Sequence, residues 1–256
     1  MNPLTIIKIG GKLLDDELAL SQALTCFSKI TTPKILVHGG GKRASELCLK
    51  LGIKPQMNNG RRITDGLTLE VTTMVYAGLI NKKLVSLLQK NNCNAIGFSG
   101  ADGNLITAQK RPPKEIDFGF VGDVKTVNTP LLINFLEQGI VPVFCAITHD
   151  KNGQLLNTNA DTIASTLAAQ LSDHFQITLK FCFEKEGVLS DLMEETSIIP
   201  FLSKEDYAQH QENGTISDGM IPKLDNAFDA KKSKVHQVRI CGADGILEQK
   251  GTEICL

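Results

Sequence analysis

The sequence predicts an α/β fold: a three-layer αβα sandwich with a largely parallel central sheet and added β-hairpins. Short β-branched runs alternate with amphipathic segments almost from end to end, the pattern of a parallel sheet covered on both faces. Two glycine-rich turns each follow a β run, as ligand loops do in such sheets. The composition is ordinary for a globular protein, with 42% apolar and 21% charged residues, 22 Gly and 9 Pro in 256 residues. A chain of this length buries roughly 70 to 75 per cent of its unfolded surface and needs no disulfide or metal staple.

In chain order, the run Leu4-Thr5-Ile6-Ile7-Lys8-Ile9 predicts a strand over 4–9, followed by an amphipathic helix over 16–29. A strand over 34–38, a helix over 42–51 and a long helix over 67–89 come next. Strands over 95–98 and 141–147 bracket a helix over 130–137. A helix over 160–171 is read from Ile163, Leu167 and Leu171, which recur every four positions and define a core face. Strands over 176–183 and 236–240 and a helix over 219–231 complete the alternation. Two stretches interrupt it and read as hairpins added to the main sheet: 58–64, around Asn59-Gly60, and 104–128, with Arg111-Pro112-Pro113 in its middle. Near residue 174 a second, shorter αβ set begins without a Pro/Ser linker, so lobes 1–173 and 174–256 are expected to share one continuous sheet.

Charge narrows the function. With 27 basic and 28 acidic residues and a net charge of −1, no overall field attracts nucleic acid or an anionic membrane. Any anionic ligand must be met by a local cluster. The seven cysteines include no CxxC and have no His partner at metal spacing, and they read as reduced thiols of a cytoplasmic core. The first residues lack the pattern of a secretory leader, and no apolar stretch approaches the ~20 residues of a membrane span.

Five segments carry candidate chemistry. In Lys8-Ile9-Gly10-Gly11-Lys12, glycines let backbone N–H groups approach an anion while a strand-borne lysine adds charge; a plain glycine turn is the alternative. In His38-Gly39-Gly40-Gly41-Lys42, three glycines open a helix whose free N–H groups and dipole suit phosphate. His38 reads as a hydrogen-bonded turn residue. Neither loop fits a P-loop or the GxGxxG fingerprint. Asn157-Thr158-Asn159-Ala160-Asp161 is either ordinary helix capping or a polar ligand site whose Asp161 fixes nearby lysines. Lys223, after Ser217-Asp218-Gly219, is a further cation or simply solvated. In an extended ribbon Arg61 and Arg62 point to opposite faces, so only one of them can reach a ligand, where a guanidinium fork would bind carboxylate bidentately; taken alone, a solvated surface arginine is the stronger reading.

Taken in register with Ser99-Gly100-Ala101-Asp102-Gly103, Gly119-Phe120-Val121-Gly122-Asp123-Val124 and Gly251-Thr252-Glu253-Ile254, these segments resemble the amino acid kinase family over nearly the whole chain. The Asn-Gly-x-Arg hairpin and the Asn-x-Asn-Ala-Asp helix start resemble the branch that phosphorylates the γ-carboxylate of an N-acylated L-glutamate in arginine biosynthesis. The resemblance implies an N-terminal lobe that binds the acylglutamate and dimerises, and a C-terminal lobe that binds ATP. It places Gly10, Gly11, Gly40 and Gly41 on the phosphates, Arg62, Asn157 and Asn159 on the acceptor, and Lys8, Asp161 and Lys223 in the catalytic cluster. Mg²⁺ is expected to ride mainly on the phosphates, with no protein ligand assigned. A cytoplasmic homodimer follows, insensitive to arginine, since arginine-inhibited members carry an extra N-terminal helix and the first strand here is expected at residue 4.

The chemistry agrees independently of the resemblance. A γ-carboxylate is already ionised at neutral pH, so its attack on phosphorus requires charge neutralisation rather than a general base. The sequence offers lysines and glycine loops, and no GxSxG nucleophile motif. It departs from the family at Cys182-Phe183-Glu184-Lys185-Glu186-Gly187, where Ser/Thr-Asp more often precedes the glycine, and at Lys12 and Lys42, which add charge beside both loops. N-acetyl-L-glutamate is the expected acceptor. N-succinyl-L-glutamate and a catalytically silent amino-acid sensor are alternatives, and a nicotinamide-dependent oxidoreductase is disfavoured by the missing fingerprint.

Overall fold

The computed structural model describes all residues except Asn59, Leu192 and Ser217, Asp218 and Gly219. Asn59 of the expected hairpin and the Ser217-Asp218-Gly219 turn therefore lie outside the described residues, as does the side chain of Lys12. In chain order the elements are β1 (Asn2–Ile9), α1 (Glu17–Ser28), β2 (Lys34–His38), α2 (Gly41–Lys50), β3 (Gln56–Asn58), β4 (Arg61–Ile63), α3 (Gly66–Thr73), a π-helical stretch (Met74–Ile80), α4 (Asn81–Lys90), β5 (Ala95–Phe98), β6 (Ile106–Lys110) and β7 (Gly122–Val127). They continue through α5 (Thr129–Glu137), β8 (Val141–Cys145), β9 (Ile147–His149), β10 (Leu155–Asn157), α6 (Ala160–Leu171), β11 (Phe175–Cys182), β12 (Phe201–Leu202), α7 (Lys204–Glu212), α8 (Ile221–Lys232), β13 (Gln237–Cys241) and β14 (Thr252–Ile254). The fold is mixed α/β, with mostly parallel strand pairing flanked by helices.

Two compact units emerge: Met1–Lys34 with Ala164–Leu256, and Ile35–Ile163. In the first, the strands run in the order β12-β14-β13-β11-β1. β1 pairs parallel with β11 from Asn2 opposite Phe175 to Ile9 opposite Cys182, and β11 pairs parallel with β13. The consecutive residues Ile6 and Ile7 are both fully buried, which is why β1 reads as a continuous apolar run rather than an alternating one. Asp16 starts α1 by accepting from the N–H groups of Leu18 and Ala19, and Leu20, Ala23, Leu24 and Phe27 form its buried stripe.

In the second unit, β2 and β5 both pair parallel with β8. Both expected hairpins form, but not as additions to the main sheet: β3-β4 stands as its own two-stranded sheet, and β6-β7 belongs to a four-stranded sheet in the order β10-β9-β6-β7. The strand expected over 141–147 divides at Ala146. There the Ala146 carbonyl accepts from Thr158 N–H (3.0 Å) and the Ile147 carbonyl from Gly100 N–H (2.7 Å), turning the chain out of one sheet and into the other. The helix expected over 67–89 is α3, the π-helical stretch and α4 in succession.

Candidate active site

Four of the candidate residues lie in the first unit. Lys8 sits at the C-terminal end of β1, 8% exposed and opposite Phe181 of β11. Its ammonium folds back over the turn that follows, so that a Cβ on Gly10 would lie 2.6 Å from Lys8 Nζ. A side chain at position 10 would displace the cation, which is the local reason for Gly10. Lys223 is in the first turn of α8, behind Ile221 and Pro222, and its Nζ is 4.4 Å from the centroid of the Phe183 ring. Phe183 directly follows β11, so both lysines belong to the C-terminal ends of the β1–β11 pair, where parallel sheets bind ligands.

Beyond the same strand ends is a cavity of about 390 Å³ whose lining includes Leu13, Gln22, Phe183, Glu184, Glu186 and Asp244. Its carboxylates can accept from hydroxyl and amino groups of a ligand. Burial, reinforced by Asp244, raises the Glu186 carboxyl above its usual range. Lys180, buried in β11, donates to the carbonyls of Gly245 (2.8 Å), Ile246 (3.0 Å) and Glu248 (3.1 Å) and so fixes the loop that carries Asp244. The sequence carries a signal for this role, since a lysine flanked by Leu179 and Phe181 in a buried strand must find carbonyl partners.

The other six candidates lie in the second unit. Gly40 and Gly41 follow β2 and open α2, and Gly40 at the N-cap makes no side-chain cap to the first-turn N–H groups. Gly40 has φ +154°, and a Cβ there would meet Ile80 Cδ1 at 2.3 Å and the Tyr76 ring at 3.0 Å. Arg62 on β4 is 7% exposed whereas Arg61 is exposed, as the pleat predicts. Arg62 Nη2 donates to Gly41 O and Ser45 Oγ, each at 2.7 Å. Arg62 Nη1 is buried and has no hydrogen-bond partner among the described residues. A buried guanidinium nitrogen of this kind keeps donor capacity that suits a carboxylate or phosphate oxygen. Tyr76 lies beside it; burial raises its phenol above the usual range, and the guanidinium opposes that rise.

Asn157, also buried, donates from Nδ2 to Thr64 Oγ1 (3.0 Å). Thr64 in turn receives the strap at 118–120, through Thr64 N–H to Phe118 O (2.9 Å) and Phe120 N–H to Thr64 O (2.7 Å). Asn159 Oδ1 accepts from the N–H groups of Asp161 (2.7 Å) and Thr162 (3.1 Å), so it does cap α6, and Asp161 is held 8% exposed in the first helical turn. Tyr76 and Ser45 were not singled out from the sequence, because nothing in their local pattern distinguishes them from other helix residues.

Residues 3–242 match the family model described as the amino acid kinase family. A protein of Parabacteroides distasonis named acetylglutamate kinase is 51% identical over 254 residues, covering 99% of this chain and 100% of that protein. Among solved structures, the Streptococcus mutans protein smu.665 matches with a TM-score of 0.81 and 25% identity over 98% of both chains. An N-acetylglutamate synthase of Neisseria gonorrhoeae, solved with coenzyme A and N-acetyl-glutamate, shares the fold with a TM-score of 0.83 at 19% identity, over 100% of this chain and 59% of that one.

Proposed function

The chain belongs to the amino acid kinase family, and from that premise we propose that it transfers the γ-phosphoryl group of ATP to the γ-carboxylate of N-acetyl-L-glutamate. The site observation that carries the acceptor class is the buried, unpartnered Nη1 of Arg62, which suits a carboxylate. In this reading Arg62, Asn157 and Asn159 hold the acceptor, and the glycines at 10–11 and 40–41 face the phosphates.

The reaction forms a bond between a γ-carboxylate oxygen and the γ-phosphorus and breaks the bridging P–O bond, whose electron pair leaves with ADP. The carboxylate enters already ionised, so no residue need accept a proton. The barrier lies in bringing an anion to a polyphosphate, and preorganised cations lower it. Lys8 and Lys223 supply that charge, and Asp161 completes the proposed catalytic cluster by orienting cations. Mg²⁺ bound to the phosphate oxygens adds neutralisation. No helix among the described residues is long and apolar enough to cross a membrane. Seven free cysteines support a reducing compartment, and a cytoplasmic location is part of the proposed reading.

Coupled detection of ADP with N-acetyl-L-glutamate as acceptor tests the proposal. Acceptor binding without ADP formation would favour a silent sensor instead.

A further inference from the structure

The kinase reading leaves unexplained a buried polar pair beneath the second glycine loop. His38 ends β2 and is 0% exposed; Asn81 begins α4 and is 1% exposed. His38 Nδ1 is 2.9 Å from Gly39 O, and Asn81 Nδ2 is 3.1 Å from His38 Nε2 and 2.9 Å from Val143 O. Lys82 Nζ donates to Asn81 Oδ1 (3.2 Å) and to Gly97 O (3.4 Å).

These partners determine every proton. The Val143 carbonyl can only accept and the Lys82 ammonium can only donate, so the Asn81 amide has one orientation. Its NH₂ then faces His38 Nε2, which must accept, and Nδ1 therefore carries the hydrogen that it donates to Gly39 O. The pair also constrains β5: a Cβ on Gly97 would lie 1.8 Å from Asn81 Oδ1, so position 97 has to be glycine for the amide to be there. Burial lowers the imidazole pKa to about 4, which keeps the ring neutral and the donor direction constant at physiological pH. Apolar residues would fill this core without the desolvation cost of an imidazole and an amide. What they could not do is grip the Gly39 carbonyl. That carbonyl belongs to the peptide immediately before Gly40, whose φ of +154° sets the direction of the loop. The preceding π-helical turn supports the loop as well, through Tyr76 and Ile80 against Gly40.

We propose that His38 and Asn81 are positioning residues for the phosphoryl-binding loop: their hydrogen bond fixes the Gly39 carbonyl and thereby aims the Gly40 and Gly41 N–H groups at the transferring phosphoryl group. The inference rests on the kinase reading and adds to it a positioning pair that never touches substrate.

Asparagine places its Nδ2 where histidine places Nδ1, whereas leucine has similar bulk and no donor. His38→Leu and Asn81→Leu should lower kcat on the order of a hundredfold, as a displaced loop does, and change KM for N-acetyl-L-glutamate less, because Arg62 is anchored at Ser45 as well as at Gly41. His38→Asn should recover much of the lost kcat. A folded His38→Leu protein with wild-type kcat, or a His38→Asn protein as impaired as His38→Leu, would overturn the inference. If the leucine variants do not fold, ¹⁵N-histidine spectra of the wild-type protein decide. A neutral, Nδ1-protonated His38 is expected, and an Nε2-protonated or neutral-pH-titrating ring overturns it. Absence of phosphoryl transfer in the wild-type protein would count against the kinase reading, which separates the two failures.

Discussion

Adjacent arginines part company on the β4 pleat: Arg61 faces solvent, while Arg62 turns inward to Gly41 and Ser45 and keeps Nη1 open. If the open nitrogen meets the acceptor, as proposed, Arg62→Ala should raise KM for N-acetyl-L-glutamate by about ten- to a hundredfold, with a smaller change in KM for ATP. An equal rise for both substrates would contradict that assignment. In the proposed mechanism Lys8→Ala and Lys223→Ala each remove a preorganised cation and should each cost kcat on the order of a hundredfold. If the two act as one electrostatic unit, the double mutant loses less than the sum, a non-additivity that single-turnover rates measure directly. His38 supplies a stability prediction. Its pKa is near 4 when folded and near the ordinary 6.5 when unfolded, so between those values the unfolded chain binds the extra proton. Stability contributed by the neutral ring is complete above about pH 6.5 and is lost as pH falls toward 4, to the extent of about 3 kcal/mol. Denaturant titrations across that range should show the slope in the wild type and a reduced slope in His38→Asn.

At the scale of elements, what the sequence makes legible depends on whether local pattern or tertiary contact sets the boundary. The strands at Lys34–His38 and Ala95–Phe98 and the helix at Ala160–Leu171 have the bounds that their local sequence pattern predicts. The π-helical stretch was hidden, because Met74–Ile80 continues the apolar pattern of its neighbours and its distinguishing contacts lie across the fold at Gly40. α7 was missed for the opposite reason: Lys204–Glu212 buries only Tyr207 and shows no apolar stripe. Among candidate site residues, Lys8 and the glycine loops stand out in the sequence by charge and turn chemistry, whereas Arg62 alone reads as a surface arginine and its burial comes from β4 packing against α2. Lys180 and the His38–Asn81 pair became meaningful only through partners 43 to 68 positions away. The glycine loop and the π-helical stretch are a matched pair, which a substitution can test. Gly40→Ala imposes a strained φ and pushes on Ile80 and Tyr76, so it should lower both the melting temperature and kcat. Gly52→Ala, with φ +75° but nothing within 4 Å, should cost only the backbone strain of about 1 kcal/mol and leave kcat alone. Thermal melts and steady-state rates of the two variants distinguish a loop that needs its shape from a turn that needs only its φ.

For the whole molecule, charge and exposed apolar surface bear on assembly. With a net charge of −1, self-repulsion between copies is weak, so apolar contact can drive association. In the second unit Leu49, Leu51, Met57, Leu67, Met74 and Leu79 are each more than half exposed, in α2 and its C-cap, the first hairpin, α3 and the π-helical stretch. Leu67 and Met74 are seven residues apart and therefore share one face of a continuous helix. We propose that these side chains form a contact surface for a second copy of the same chain. An isologous contact brings the same patch together twice, so one charge introduced into it is placed against its own copy. Leu67→Glu and Met74→Glu should each shift the protein from dimer to monomer in light scattering, with the double variant monomeric at all accessible concentrations. Leu18→Glu, an equally exposed leucine in the first unit, should leave the dimer intact. A wild-type protein that scatters as a monomer would remove the proposed homodimer. A dimer indifferent to both glutamates would move its interface away from α3.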